Sequence, residues 1–409
     1  MQRTASITFI LITILINVMG LGLIIPVLPK LIEQLAGGVQ AGSLYNGVFI
    51  AVYALMQFLF APVLGAFSDR YGRRPILLLA LLGTVIDYLV SALTQSLGVL
   101  LMARIVAGAL GASFSTANAY IADISKPEDR AKNFGLIGAV FGLGFILGPA
   151  IGGLLGNADI RLPFYFAAGI AFLNLLYGYF ILPESLKPEN RNTKSKIGNP
   201  FSALAILGRY PLVRGLSVGS VLFNTAFSIL QSVWVLYTTH RFGWNIQQTG
   251  LSLMLVGITA AIVQGGLVRI IVGRLGERRS VLLGQAMGIL SFSLYGLASQ
   301  SWMMYATILI GSIGNISGPA IQSLISKSAS EKEQGTVQGA IAALVSLTGI
   351  VGPLLGGYVF AQFAKPDVAS WLVGMPFFLG AVLYAFGLLN TYLTFKRIPE
   401  VKAPVPASA

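Results

Sequence analysis

Cysteine is absent from all 409 residues, and the chain holds a single histidine, His240. No disulfide, thiolate metal site or cysteine nucleophile can be built, and no histidine cluster can bind a metal. Charge is scarce too. Asp, Glu, Lys and Arg make up 10% of the chain, against roughly 25% in an ordinary globular protein. No segment matches the GxxxxGK[ST] loop that cradles nucleotide phosphates, and no catalytic constellation is visible. The chain reads as neither an enzyme nor an ATP-driven pump, and no cofactor or metal is expected. A soluble protein with so few charges could not cover its own surface.

What is present is apolar. Hydrophobic residues make up 55% of the chain, and the mean hydropathy is +0.79. One bilayer crossing takes about 20 mostly apolar residues. The first apolar run, from about Ile7 to Pro29, is longer than a signal-peptide core. Further runs centre near residues 56, 85, 109, 145, 173, 226, 260, 290, 312, 348 and 382. The expected fold is an all-α membrane protein with twelve transmembrane helices.

The net charge of +13 reads by position, as a topology signal rather than a nucleic-acid surface. Of the 27 basic residues, 21 fall on one side of the predicted membrane, among them Arg3, Arg70, Arg73, Arg74, Lys126, Lys194, Arg274, Lys327 and Lys402. Four fall on the other: Lys30, Arg161, Arg241 and Lys365. Only Arg104 and Arg269 sit within spans. Both termini are therefore expected in the cytoplasm, as for an integral protein of the bacterial inner membrane.

The chain repeats itself. GLGFILGPAIGG (142–153) returns as SLTGIVGPLLGG (346–357), and YGRRPILLL (71–79) as LGERRSVLL (275–283), both at an offset of 204. Six helices duplicated in one orientation make two pseudo-symmetric halves with a central site between them. The expected divisions are 1–183 and 215–395 for the halves, 184–214 for a polar cytoplasmic linker and 396–409 for a tail.

Three motifs carry chemistry. GAFSDRYGRR (65–74) joins Gly65, Asp69, Arg70, Gly72, Arg73 and Arg74 at a membrane boundary. An anionic-lipid anchor accounts for the arginines but not for Asp69, which suits a neighbouring helix N-terminus. Arg104, Gly108, Gly111, Ser115 and Asn118 recur at helical spacing, so that face is expected to line an interior cavity; the alternative is an arginine that snorkels outward. Gly142, Gly148, Gly152 and Gly156 favour tight helix contact, with Pro149 as a kink.

In these motifs the chain resembles the major facilitator superfamily, and within it the tetracycline/proton antiporters. GAFSDRYGRR matches the superfamily's loop motif and LMARIVAGALGA its helix-4 arginine motif. GFILGPAIGG matches the antiporter motif through Gly144, Gly148, Pro149, Gly152 and Gly153. MGLGLIIPVLP, YALMQFLFAP, AYIADISKPEDRAKNFG, LPES and SLTGIVGPLL extend the likeness over almost the whole chain. The resemblance implies an exporter of small amphiphiles working by alternating access with proton coupling. It also implies Gln57 and Gln264 as cavity residues. Asp87 and Arg104 retain the helix-3 acid and helix-4 arginine. At three places the match breaks. Asn17 and Gly288 stand where the family has essential acids, and Ala260 near where it has a membrane histidine. An amide cannot titrate.

Other polar residues within spans are Asn224, Ser228 and Gln231 on one face of helix 7, Asn315 and Gln322 on helix 10, and Gln285 on helix 9. They are read as a hydrogen-bonding cavity, with Trp234 for a planar ligand; single polar residues can also be mere interhelical glue. Asp87 and Arg104 lie at similar depth on consecutive antiparallel helices, so they are expected to form an ion pair or to carry the coupled proton. The expected partners are a small-molecule substrate, protons and membrane lipid, with the protein a monomer. An uptake or facilitated-diffusion carrier of an organic anion or other small solute is the competing reading. A transporter-derived sensor would need a signalling domain or long tail.

Overall fold

A computed structural model describes residues 7–111, 113–126, 129–186, 189, 191, 202–330 and 333–399. Arg3, Lys187, Lys194, Lys196, Lys332, Lys402, part of the expected linker (187–188, 190 and 192–201) and residues 400–409 of the tail lie outside the described residues. The described residues are helical throughout, without strands. Eleven rods are long and apolar enough to cross a membrane. They are α1 (Ile7–Ala36), α2 (Val39–Tyr71), α3 (Arg73–Leu93), α5 (Gly135–Ala158, whose helix starts at Arg130), α6 (Leu162–Phe180), α7 (Pro211–Phe242), α8 (Ile246–Leu275), α9 (Glu277–Leu297), α10 (Ser301–Ser328), α11 (Gln334–Phe363) and α12 (Ser370–Arg397). The twelfth, α4, comes in two pieces, Leu97–Ala109 and Ser113–Ile124.

Breaks fall where the sequence supplies a reason. Pro26 lacks a backbone donor, and α1 is interrupted between Ile24 and Leu28. In α4 the Gly111 amide bonds back only three residues, to Gly108. The carbonyl of Gly111 is taken up from outside, by Gln57 Nε2 at 3.1 Å. In α10 the equivalent stretch, Ile313–Ile316, winds as a 3₁₀ turn. In α8, Val263–Leu267 widens to a π turn, a departure often found at functional sites.

The 204-residue offset survives in three dimensions. Helices α3 and α9 begin and end at equivalent positions, as do α4 and α10. Arg74 and Arg278, also 204 apart, reach equivalent places. Arg74 donates to the Tyr179 carbonyl at the end of α6. Arg278 donates to Phe395 and Ile398 carbonyls at the end of α12, at 3.2 and 2.7 Å. Each thus serves the last carbonyls of its half's sixth helix. Each half has one apolar core near either end. Leu23, Phe49, Tyr88 and Phe164 mark one in the first half, and Val233, Tyr237, Phe360 and Phe377 its counterpart.

Candidate functional site: a cleft between the halves

The halves meet chiefly through α2 against α11 and α5 against α8. The contact is backbone on backbone. A Cβ on Gly47 would lie 2.5 Å from the Pro353 carbonyl oxygen, and one on Gly153 3.0 Å from the Gly250 Cα. Gly357 against Ser43 and Gly250 against Pro149 are as tight. These glycines sit at the end remote from the arginine-rich loops. Two side chains stitch the same end: Asn46 Nδ2 donates to the Ser232 carbonyl at 2.7 Å, and Gln40 Nε2 to that of Ala364 at 2.9 Å.

Toward the basic end the same helices part. Contact persists to Gly257 against Ile146 and Gly349 against Ala54. Beyond it Gly65, Gly135, Gly138, Gly265, Gly266, Gly335 and Gly339 would meet nothing within 4 Å on gaining a Cβ. The result is a cleft sealed at one end and open at the other.

Helical phase decides what faces it. Gly250, Gly257 and Gln264 recur every seven residues on the side of α8 that meets α5. The first two are in contact; α5 has diverged by the third, so Gln264 is exposed. The π turn bearing Gln264 lies against the 3₁₀ turn of α10, where Asn315 is exposed as well. Gln231 on α7 is likewise exposed, as are Asn118 and Gln322, which the repeat superimposes. None of these five amides makes a protein hydrogen bond among the described residues. Gln231, Gln264 and Asn315 lie 11 to 13 residues from the nearer helix end, roughly 15–20 Å deep at 1.5 Å per residue. Asn118 and Gln322 lie about 9 Å from the basic end on the same scale.

Other sequence candidates sit elsewhere. Asn17 is buried, 9% exposed. Asn224 donates to its own helix, to the Ser220 carbonyl at 2.8 Å. Trp234 is buried in the core and donates to Ser252 at 3.0 Å. Gln285 is fully buried and donates to Thr391 on α12 at 3.2 Å; it ties helices together. The outer part of the Arg104 face of α4, unlike Asn118 further along it, does not line the cleft. Gly108 abuts Tyr53 and Met56 of α2, and Gly111 abuts Gln57, so those glycines admit a helix rather than a ligand.

Arg104 does not snorkel. Its Nη2 lies 3.0 Å from Asp87 Oδ2, with both side chains nearly buried, and 3.4 Å from Ser91 Oγ. Asp87 Oδ1, Arg104 Nε and the Tyr88 hydroxyl are buried without a hydrogen-bond partner among the described residues. Gly288 also has a physical account: a side chain there would run into the Tyr384 ring. In the antiporter motif, Gly144, Gly148 and Gly152 seat α1 through Val18, Gly22 and Leu23, while Gly153 meets α8. Pro149 stays within the helix.

At the basic end Asp69 pairs with Arg73 in its own half. Arg73 Nε also reaches Asp123 Oδ2 at 3.1 Å. Arg70 lies over the neighbouring Tyr71 ring. Gly72 has φ +108°, and a Cβ there would also strike Glu184. Glu184 is a residue that sequence reasoning missed. Its carboxylate accepts from the Arg73 and Arg74 amides, at 2.8 and 3.2 Å, capping α3. Its one signal was the LPES segment, which carries no spacing rule linking it to position 73.

The family model described as Major Facilitator Superfamily matches residues 10–278 and 267–409. The chain is 40% identical to the tetracycline resistance protein, class C, of Escherichia coli, over 93% of this chain and 96% of that one. It is 31% identical to multidrug resistance protein 2 of Bacillus subtilis (strain 168), over 88% and 89%. Among solved structures, the human organic anion transporter MFSD10 (TETRAN) superimposes with a TM-score of 0.69 at 27% identity, covering 94% of this chain and 98% of that one. A bacterial homologue of the lysosomal transporter Spinster superimposes at 0.76 and 17% identity, covering 95% and 96%, a likeness of fold.

Proposed function

This chain belongs to the major facilitator superfamily, and on that premise we propose that it exports a small amphiphilic compound, tetracycline-like or of the multidrug kind, by proton-coupled alternating access. One observation carries the reading: a cleft sealed by glycine contacts at one end, open at the other, with unpartnered amides exposed at mid-depth. The excess of basic residues assigns the open end to the cytoplasm, so substrate enters from inside. Rocking the halves would separate α5 from α8 and α2 from α11 at the outer end and release it.

The recognition chemistry is uncharged. Gln231, Gln264 and Asn315 each offer a donor and an acceptor. Arg104 and Asp87 neutralise one another away from the cleft. Neutral, zwitterionic or anionic amphiphiles therefore suit the site better than dications. With Asn17 at the family's helix-1 acid position, this chain does not rely there on a carboxylate for a metal-chelated drug.

A second reading, uptake or facilitated diffusion of an organic anion or other small solute, draws on three observations. Gly288 is packed against Tyr384, Asn17 cannot titrate, and Asp87 is held by Arg104. A growth-inhibition panel across drug classes, with and without a protonophore, separates the readings. Export predicts protection against amphiphilic drugs that the protonophore abolishes. Drug sensitivity raised by expression, or unaltered by the protonophore, would reject it.

A further inference from the structure

Four charged residues near the basic end form two pairs that the repeat superimposes with their signs exchanged. In the first half Arg73, opening α3, reaches Asp123 near the end of α4 at 3.1 Å. In the second half Glu277, opening α9, takes the ammonium of Lys327 near the end of α10 at 2.7 Å. Arg73 and Glu277 are 204 residues apart, as are Asp123 and Lys327. The helices concerned begin and end in register at that offset, so the correspondence is structural.

Within one half, the helix dipoles favour the order of the second half, an acid opening α9 and a base closing α10, over that of the first. What the exchange of signs adds lies between the halves. Under the alternating-access reading, a pseudo-twofold axis relates α4 to α10, and closing the basic end would bring their equivalent positions toward one another. Like charges there would oppose closure; opposite charges favour it.

The present partners are also unequally bound. Arg73 is shared between Asp69 and Asp123, so it stays compensated if Asp123 turns away. Asp123 additionally accepts from the Ser185 hydroxyl at 3.0 Å. The Lys327 side chain is 69% exposed, whereas that of Glu277 is 17% exposed. Glu277 keeps the Ser323 hydroxyl as a second donor. Asp123 can leave with Arg73 still paired to Asp69, and Lys327 can leave with Glu277 still partly exposed to water and hydrogen-bonded to Ser323.

We propose that Lys327 exchanges Glu277 for Asp123 when the cytoplasmic end closes, and that this cross-half pair latches the outward-facing state. The proposal rests on the alternating-access reading. The native chain has no cysteine, so spin labels can be placed without background. Lys126→Cys and Ser330→Cys are equivalent, exposed positions just beyond the pair. Double electron–electron resonance on the full chain in nanodiscs then reports closure as a shorter distance. An exposed ion pair is worth about a two- to fivefold population shift.

Lys327→Gln should lower the closed fraction by about that factor. Glu277→Gln should raise it, because it frees Lys327; a purely local brace predicts equal effects of the same sign. Asp123→Lys combined with Lys327→Asp should restore what either single reversal loses. Equal effects of Lys327→Gln and Glu277→Gln, or no recovery in the double reversal, would overturn the latch while leaving alternating access standing. A single distance under all conditions, with no closed population at all, would overturn both.

Discussion

Asp87→Asn removes the charge that balances Arg104 and leaves the guanidinium in place. Both side chains are nearly inaccessible, with their contact at 3.0 Å. The remaining neighbour, Ser91 Oγ, is neutral and 3.4 Å away. Breaking such a buried pair from one side costs about 3–5 kcal/mol, because an uncompensated charge stays behind. Asparagine retains an acceptor oxygen, so it belongs near the lower bound, and Asp87→Leu near the upper. At about 1.4 kcal/mol per tenfold, even the lower bound shifts the folded fraction by roughly a hundredfold. Replacing both partners should be far milder, since a well-packed apolar pair of similar volume is often neutral. The assay is thermal unfolding of Asp87→Asn, Arg104→Met and Asp87→Leu/Arg104→Met in detergent across a pH series. The singles should lose much of their monodisperse protein at every pH, and the double should recover most of it. If Asp87→Asn unfolds at the wild-type temperature, exchanges substrate normally and loses only accumulation driven by a pH gradient, Asp87 is the coupling site and the structural argument fails.

Other outcomes follow from the same geometry. Gly47→Val would force a side chain onto the Pro353 carbonyl; overpacking of about 1–3 kcal/mol should open the outer seal and slow cytoplasmic labelling of a cleft cysteine fivefold or more. Asp69→Asn should impair turnover more than ligand binding, because Asp69 bonds Arg73 at the helix boundary, far from the mid-depth amides Gln231, Gln264 and Asn315; a collapse of equilibrium affinity with turnover preserved would show the reverse. Bis-quaternary dyes should bind more weakly than neutral or anionic amphiphiles in a fluorescence titration, and equal binding would place an unrecognised acid in the cleft. Reporter fusions after Lys194 and at the C-terminus should both read cytoplasmic, and an extracellular signal from either would reverse the orientation.

Much of the architecture was legible because one-dimensional rules fix it. Apolar length gives spans, and the offset of 204 predicted equivalent helices that the structure places in register. The Asp87–Arg104 pair followed from depth alone, since two antiparallel neighbours with equal distance to a surface bring equivalent levels together. Facing was harder. Arg104, Gly108 and Gly111 share a stripe, but a glycine stripe suits a neighbouring helix as well as a cavity, and α2 takes it. Trp234 and Gln285 have the composition of ligand-binding residues and the environment of core residues. Only the packing of Ser252 and Thr391 against them separates the two. Gln264 and Asn315 combine both lessons. Their identity pointed to the cleft, whereas the π and 3₁₀ turns that present them depend on tertiary contacts no spacing rule encodes.

Gln264 and Asn315 are proposed to face a substrate route that opens to the cytoplasm. Gln264→Cys and Asn315→Cys, each the sole cysteine in its chain, can be treated with a membrane-impermeant maleimide from either side of the membrane. Tyr358, exposed on the outer surface of the helix bundle, supplies a comparison site as Tyr358→Cys. Both cleft cysteines should react from the cytoplasmic face in everted vesicles, far faster than from the outside, and a transported amphiphile such as tetracycline should protect them. Reaction no faster than at position 358, or no protection by any compound the cells are found to resist, would contradict that placement.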